Sequence, residues 1–280
     1  MKAIDLLNSG SKTLKLNKIY SHQLDSELLL SKVLKSKREK ILINLEQEIK
    51  PKDVLKFLTL IKRRSNNEPV SYITNEKEFW SKTFFVNKFT LIPRPETELM
   101  IEKLSMIFKN KRISILDIGT GSGCILLSLL SEIKNAKGIG IDISKGATEI
   151  ARKNAKILKL TSRAKFLNLS FKRVFNKKFD LIASNPPYIK QSQIKNLDCD
   201  IKNFEPKIAL DGGNDGLDVI KKVIYKAKNI LKNKGTLSLE IGKEQHKKVL
   251  KILQSNNFLI KYIVNDYKDN IRCIISTLNI

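Results

Sequence analysis

Along residues 25–36, "DSELLLSKVLKS", apolar positions recur at i, i+3, i+4 and i+7 behind an aspartate suited to cap a helix start. The segment predicts an amphipathic helix with Asp25 as its cap. The same periodicity runs through residues 1–74, where no glycine follows Gly10, and predicts a small helical bundle. From Glu68 the pattern changes. The stretch "EPVSYITNEKEFWSKTFFVNKFTLIPRPETE" is rich in β-branched and aromatic residues, split by the turn-like "NEKE" and "SK", and predicts a β-hairpin linker over 75–94. Pro95 then opens a helix, with Glu96 and Glu98 in the first turn, where acids meet the positive end of the helix dipole.

Beyond residue 95, short apolar runs alternate with helical stretches, the pattern of a mainly parallel sheet covered by helices. Strands are expected at 112–119 ("RISILDIG"), 136–143, 164–170, 178–184 and 235–242, with helices near 123–134, 144–159, 216–232 and 243–256. Two last strands, "KYIVNDY" and "RCIISTL", are separated only by "KDNI", which predicts an antiparallel hairpin at the sheet edge. Two units are expected, a helical domain at 1–74 and an α/β domain at 95–280, with the linker between them. The sequence has no internal repeat and no low-complexity linker.

Composition narrows the function classes. The chain of 280 residues is 41% hydrophobic and 29% charged, and no apolar stretch reaches the roughly 20 residues that a membrane span needs. Its first residues lack the apolar core and the cleavage pattern of a signal peptide, so a cytoplasmic protein is expected. Cys124, Cys199 and Cys273 are widely spaced and His22 and His246 are the only histidines, a poor supply for a metal site or a Ser/His/Asp triad. No metal and no disulfide are expected. The formal charge of +25 suits association with nucleic acid or the ribosome. Yet the basic runs "KSKREK", "KNKR" and "FKRVFNKK" are scattered, and a solvated surface would look the same.

Chemistry is concentrated in two loops and one acid. In "LDIGTGSGC", glycines at 119, 121 and 123 fall where a strand turns into a helix. A dinucleotide fingerprint would require its third glycine at 124, where Cys124 stands, so the spacing is a different one. Glycines let a ligand approach the backbone closely, and Asp117 before them can hold a cationic group such as an amino-acid ammonium. Asp142 closes the second strand 23 residues after Gly119, where an acid in such folds accepts hydrogen bonds from ribose hydroxyls. A tight strand-to-helix turn would use the same glycines, but it does not require Asp142. Together these features resemble the first two motifs of S-adenosylmethionine (SAM) methyltransferases.

The second loop, "SNPPYI" at 184–189, ends the apolar run "FDLIA". A planar NH₂ group is a poor nucleophile because its lone pair is delocalised, so positioning has to compensate. The Asn185 side-chain oxygen and the Pro186 carbonyl can each accept one N–H of such a group. Pro186 and Pro187 stiffen the loop and leave it rich in acceptors, and Tyr188 can lie along a flat substrate. No histidine base is required before transfer. A rigid turn after a strand is the bland alternative.

With these residues in place, the sequence resembles the PrmC/HemK-type peptide chain release factor glutamine N5-methyltransferases over nearly its whole length. "DSELLL", "EPVSYITNEKEFW", "TLIPRPETE", "FEP", "ALDGGNDGLD", "LEIG" and "NDY…R" add to the match. The resemblance implies an α/β, Rossmann-like SAM-dependent methyltransferase sheet, mostly parallel with an antiparallel edge hairpin, joined to an N-terminal helical bundle that docks the substrate. It implies SAM as cofactor, bound by Asp117, Gly119, Thr120, Gly121, Ser122, Gly123, Asp142, Phe171 and Asn185. It implies a class I release factor as protein substrate, its glutamine amide held by Asn185, Pro186, Pro187 and Tyr188, with Asn185, Pro186 and Tyr188 as the catalytic set. A monomer is expected, with weak nucleic-acid or ribosome association through the basic surface. One departure stands out: the family commonly has an acid before the aromatic residue that follows the third strand, and here Ser170 precedes Phe171. Phe171 can stack on adenine or fill the core beneath the loop. Arg94 is expected near the entrance, though it and Glu98 could equally serve the helix start. The rival readings are a nucleic-acid N6-adenine methyltransferase, a ribosomal-protein glutamine methyltransferase and a non-catalytic RNA-binding relic.

Overall fold

The computed structural model describes residues 1–171 and 178–279, so residues 172–177 of the basic run "FKRVFNKK" lie outside the described residues. The chain divides into two compact units, residues 1–76 with 198–204 and residues 77–197 with 205–280. Among the described residues, no helix is long and apolar enough to cross a membrane.

The first unit is helical: α1 (Ala3–Leu16), α2 (His22–Leu34), α3 (Arg38–Ile43), α4 (Pro51–Ser65) and α5 (Val70–Thr74), with the short α9 (Cys199–Phe204). Leu6, Leu14, Leu29, Leu30 and Phe57 form its core. Gly10 lets α1 sit tightly on α2 and α4, because a Cβ there would stand 2.6 Å from the Phe57 ring and 2.7 Å from Ser26 Oγ. Asp25 is not the helix cap that the sequence suggests. Ser21 takes the cap position, and Asp25 sits one turn inside α2, buried. Its Oδ2 accepts hydrogen bonds from Arg64 Nε at 2.7 Å and from Ser21 Oγ at 2.8 Å, tying α2 to α4. A capping acid and a buried ion-pair acid have the same local signature, and only the arginine 39 residues away tells them apart.

The second unit opens with the hairpin of β1 (Glu76–Phe79) and β2 (Lys82–Phe85). "NEKE", expected as a turn, instead runs into β1, and the reversal falls on Trp80 and Ser81, both at φ 51°. That left-handed pair matches the twist of a hairpin but is unusual without glycine or asparagine. Trp80 is held there by its backbone N–H to Glu98 Oε1 at 2.8 Å and its indole N–H to Glu132 Oε1 at 2.9 Å.

Then follow α6 (Glu96–Ile107), β3 (Ser114–Ile118), α7 (Cys124–Glu132), β4 (Lys137–Asp142), α8 (Lys145–Ile157), β5 (Ala164–Asn168), β6 (Phe179–Ser184), α10 (Asp218–Ile230), β7 (Leu231–Glu240), α11 (His246–Ser255), β8 (Phe258–Asn265) and β9 (Ile271–Leu278). The sheet order is β5-β4-β3-β6-β7-β9-β8, parallel from β5 to β7 and antiparallel at β9 and β8. One face packs on α6, α7 and the hairpin phenylalanines Phe79 and Phe84, the other on α10 and α11. Strands buried on both faces explain runs such as "SILDI" that do not alternate. The strand expected at 235–242 starts earlier, at Leu231, because Leu231 pairs with Phe179 despite the lysines that follow it. The helix expected from 243 starts at His246, after a turn through Gln245. The three cysteines are free: Cys273 is buried, Cys124 half-buried and Cys199 exposed.

Replacing Asp25 by alanine would leave the Arg64 guanidinium buried without its partner. The expected loss is about 3–5 kcal/mol, measured as the shift of the urea unfolding transition of the helical unit. A loss within 0.5 kcal/mol, the surface-substitution range, would mean that the pair does not organise this unit.

Candidate active site

Parallel register sets four strand ends at one level. Ile118 pairs with Ile141 on one side and with Ser184 on the other, and Ser184 pairs with Leu239. The next residue on each strand is therefore Gly119, Asp142, Asn185 and Glu240, a single row across the carboxyl ends of β4, β3, β6 and β7. The chain runs from β3 outward through β4 to β5 and then returns to the opposite side of β3 as β6. In such sheets the reversal point opens a crevice beyond the strand ends.

The glycine loop follows β3. Gly119, Gly121 and Gly123 all have positive φ (74°, 53° and 81°), which excludes most side chains. A Cβ on Gly119 or Gly121 would meet no atom within 4 Å, so these two face open space, whereas one on Gly123 would press on Ala151, Leu127 and Phe166. The amides of Gly119 and Thr120 share the Ile141 carbonyl. Asp142 supports the loop as well: its Oδ2 accepts the Gly121 N–H at 3.0 Å and its Oδ1 the Ser144 N–H at 2.9 Å. Asn154 of α8 spans loop and hairpin, donating to the Ser122 carbonyl at 2.8 Å and accepting the Phe85 N–H at 2.7 Å. Asp117 is fully buried under the loop. Its Oδ2 accepts the Thr120 hydroxyl at 2.6 Å, while Oδ1 has no hydrogen-bond partner. Burial pushes its pKa up to about 7 and raises that of Asp142.

The Asn-Pro-Pro-Tyr loop is anchored from behind. Gln245 donates to the Tyr188 carbonyl at 3.0 Å and to the Gly216 carbonyl at 3.1 Å, and its Oε1 accepts the Gly242 N–H at 2.9 Å. Ile189 and Gly212 add a short bridge to "LDGG". Asn185 Nδ2 lies 3.3 Å from Thr97 Oγ1, and the Thr97 hydroxyl in turn donates to Glu240 Oε2 at 2.5 Å. Glu240 is buried and its pKa is pushed up to about 7, chiefly by desolvation.

Between the two loops lies a cavity of about 360 Å³. Gly119, Thr120, Gly121, Ser122, Asp142, Phe171, Asn185, Pro186 and Pro187 line it. Asp117, Gly123 and Tyr188 stand behind the wall instead. Tyr188 packs against the apolar cluster under α10 and α11, and burial raises its phenol pKa. Phe171 packs on that cluster and also faces the cavity. Ser170 lines the cavity where the resemblance would supply an acid. Arg94 is at the cavity edge, where it pairs with the buried Glu205 at 2.6 Å, and the other Glu205 oxygen accepts the Ile92 N–H at 3.1 Å. Glu98 serves the hairpin turn.

Thr97, Asn154, Glu205, Glu240 and Gln245 were invisible as site residues in the sequence. Three of them lie in runs that carry the family resemblance, "PETE", "FEP" and "LEIG", and those runs were the only signal available.

The fit to a nucleoside that carries an amino acid rests on these atoms. Asp117 offers an unpartnered acceptor beneath the loop, the glycines leave its backbone open, and Asp142 retains lone pairs beside the cavity.

The family profile described as the PrmC N-terminal domain matches residues 5–74, and the profile described as the methyltransferase small domain matches residues 95–201. A release factor glutamine methyltransferase of Buchnera aphidicola subsp. Baizongia pistaciae is 42% identical over 262 residues, 93% of this chain and 94% of that relative. Another, of Fusobacterium nucleatum, is 38% identical over 277 residues, 98% of this chain and 78% of that relative. Among solved structures, a methyltransferase from Pyrococcus furiosus superposes with a TM-score of 0.52 at 19% identity, covering 70% of this chain and 89% of that one. The ribosomal protein L11 methylase of Lactobacillus delbrueckii subsp. bulgaricus gives 0.51 at 18% identity, covering 69% and 84%. At such identities the likeness is one of fold.

Truncating Gln245 to alanine would strand two carbonyls and one amide behind the Asn-Pro-Pro-Tyr loop. Local opening there should become easier by about 2 kcal/mol. Amide exchange of Gly242, faster by about 30-fold relative to the β7 core, would report it; unchanged exchange would count against the clamp.

Proposed function

Because the chain belongs to the release factor glutamine methyltransferase family, we propose that it transfers a methyl group from SAM to the side-chain amide nitrogen of the glutamine in the Gly-Gly-Gln motif of class I peptide chain release factors. The observation that carries this reading is the adjacency of the Asn-Pro-Pro-Tyr loop and the glycine loop on the paired strands β6 and β3, with one cavity between them.

SAM, when bound, supplies a methyl group on a positively charged sulfur that departs as a neutral thioether. Asp117 accounts for the cofactor's ammonium, Asp142 for its ribose hydroxyls and Phe171 for its adenine face, with Gly119 to Gly123 giving close backbone approach. The substrate amide has a delocalised lone pair and has to be aimed. Asn185 Oδ1 and the Pro186 carbonyl each accept one of its N–H groups, fixing the nitrogen's plane and direction; orientation of this kind is worth up to roughly 7–11 kcal/mol. Pro187 stiffens the loop, and Tyr188 supports it through its packing and through the Gln245 bond to its carbonyl. No side chain has to take a proton before transfer, since the amide becomes acidic only as the new N–C bond forms. The same proposal has the enzyme working in the cytoplasm as a monomer, with its charge of +25 giving weak, salt-sensitive association with ribosomal RNA.

Labelled SAM offered with an unmodified class I release factor, the same factor with its Gly-Gly-Gln glutamine replaced, ribosomal proteins and DNA discriminates the readings. Label in the unmodified factor alone is expected; transfer to DNA, or none, would refute the assignment. Asn185→Ala should bind SAM measurably while turnover falls by about 100-fold or more.

Cofactor affinity should also depend on pH. Asp117 must be ionised to hold an ammonium, and its pKa near 7 means that acidification neutralises it. Between pH 7.5 and 5.5 the SAM dissociation constant should rise by up to about 30-fold, as read by calorimetry. Asp117→Asn should bind weakly with a flat profile.

A further inference from the structure

We propose that Thr97 and Glu240 are positioning residues for methyl transfer, which set the way round that the Asn185 carboxamide stands. The inference rests on the function proposed above and adds residues to it that neither loop contains.

A threonine hydroxyl has a single hydrogen. Thr97 gives that hydrogen to Glu240 Oε2 at 2.5 Å, so toward Asn185 it can act only as an acceptor. The Asn185 atom 3.3 Å from Thr97 Oγ1 is therefore the amide nitrogen, and Oδ1 is left as the amide atom not engaged by this chain of bonds. The carboxylate reinforces the choice, since the Asn185 amide stands near enough to Glu240 to stabilise its charge. An isolated asparagine would present either end to the cavity. Turned over, Asn185 would set its NH₂ against the substrate's NH₂, donor against donor, and the nitrogen would lose one of its two acceptors.

The relay is built rather than incidental. Thr97 is at the start of α6, Glu240 ends β7 and Asn185 follows β6, so three elements converge on it. Thr97 and Glu240 are both almost wholly buried, and an acid in that position is expensive unless it is hydrogen-bonded. The charged and titratable groups facing Glu240 are Arg272 and Cys273 of β9, Glu96 at the start of α6, Cys124 at the start of α7, and Tyr188. Arg272 favours its ionised form and Glu96 opposes it. Burial outweighs the rest and pushes the pKa up to about 7. Once protonated, Glu240 can donate to Thr97, whose hydrogen is then free to turn toward Asn185 Oδ1. Turnover should accordingly fall as pH drops through that value.

The test uses the full chain with Thr97→Val, Thr97→Ser and Glu240→Gln. For Thr97→Val, kcat should drop by about 100-fold while the KM for the release factor and the SAM dissociation constant stay close to wild type and the protein remains folded at the assay temperature. Thr97→Ser should restore most of the rate, and at saturating SAM Glu240→Gln should lose the acid limb of kcat near pH 7. A Thr97→Val enzyme of wild-type kcat, or one whose rate loss merely follows lost SAM binding or lost folding, overturns the proposal. A readout without substrate separates this from the functional reading: the Asn185 side-chain NH₂ resonances, assigned by their loss in Asn185→Asp. They should be protected from exchange in wild type and Thr97→Ser and unprotected in Thr97→Val. If wild type fails to methylate a release factor, the function proposal falls, and the NH₂ protection still decides the relay. Equal protection in all variants overturns it.

Discussion

Parallel pairing among β4, β3, β6 and β7 is the constraint on which the rest of the structure depends. The backbone hydrogen bonds of a buried sheet fix register, and a slip of one residue would exchange the faces of every side chain. Here the register ends four strands level, so that Asp142, Gly119, Asn185 and Glu240 emerge side by side from segments scattered over more than 120 residues of sequence. Everything at the site is a local elaboration of that alignment: glycines where the backbone has to be bare, prolines where it has to be stiff, and acids where a donor has to be held.

Those acids set a second theme. The protein carries a charge of +25, yet the groups set around its cavity are carboxyls: Asp142 in the wall, and Asp117, Glu205 and Glu240 buried behind it. Each is tolerated through specific donors. Asp142 takes two backbone amides, Glu205 takes Arg94 and a backbone amide, and Glu240 takes Thr97. Of these four, Asp117 alone keeps an oxygen with no hydrogen-bond partner.

The sequence was most legible where one short segment carries its own physics. Apolar runs of strand length, glycines at a strand-to-helix turn and an Asn-Pro-Pro-Tyr stop can each be read within ten residues, and the sheet and its two loops follow from them. Illegible were the groups whose meaning lies in a distant partner. Thr97 and Glu240 are 143 residues apart, and Gln245 reaches 57 residues back to Tyr188. Asp25 was misread for the same reason, since one buried arginine converts a capping signature into an ion pair. The early start of β7 was hidden because pairing with Phe179 overrides the lysine-rich composition of "LKNK".

The helical unit is not continuous in the chain. It draws residues 198–204 from the far side of six sheet-forming or hairpin strands, a segment flanked by stretches that belong to the other unit. A protein emerging from the ribosome amino end first therefore cannot finish its leading module until nearly three quarters of the polypeptide has been made. Its birth order and its assembly order differ, and the late-arriving turn α9 makes completion of the first-born part wait on synthesis of the second.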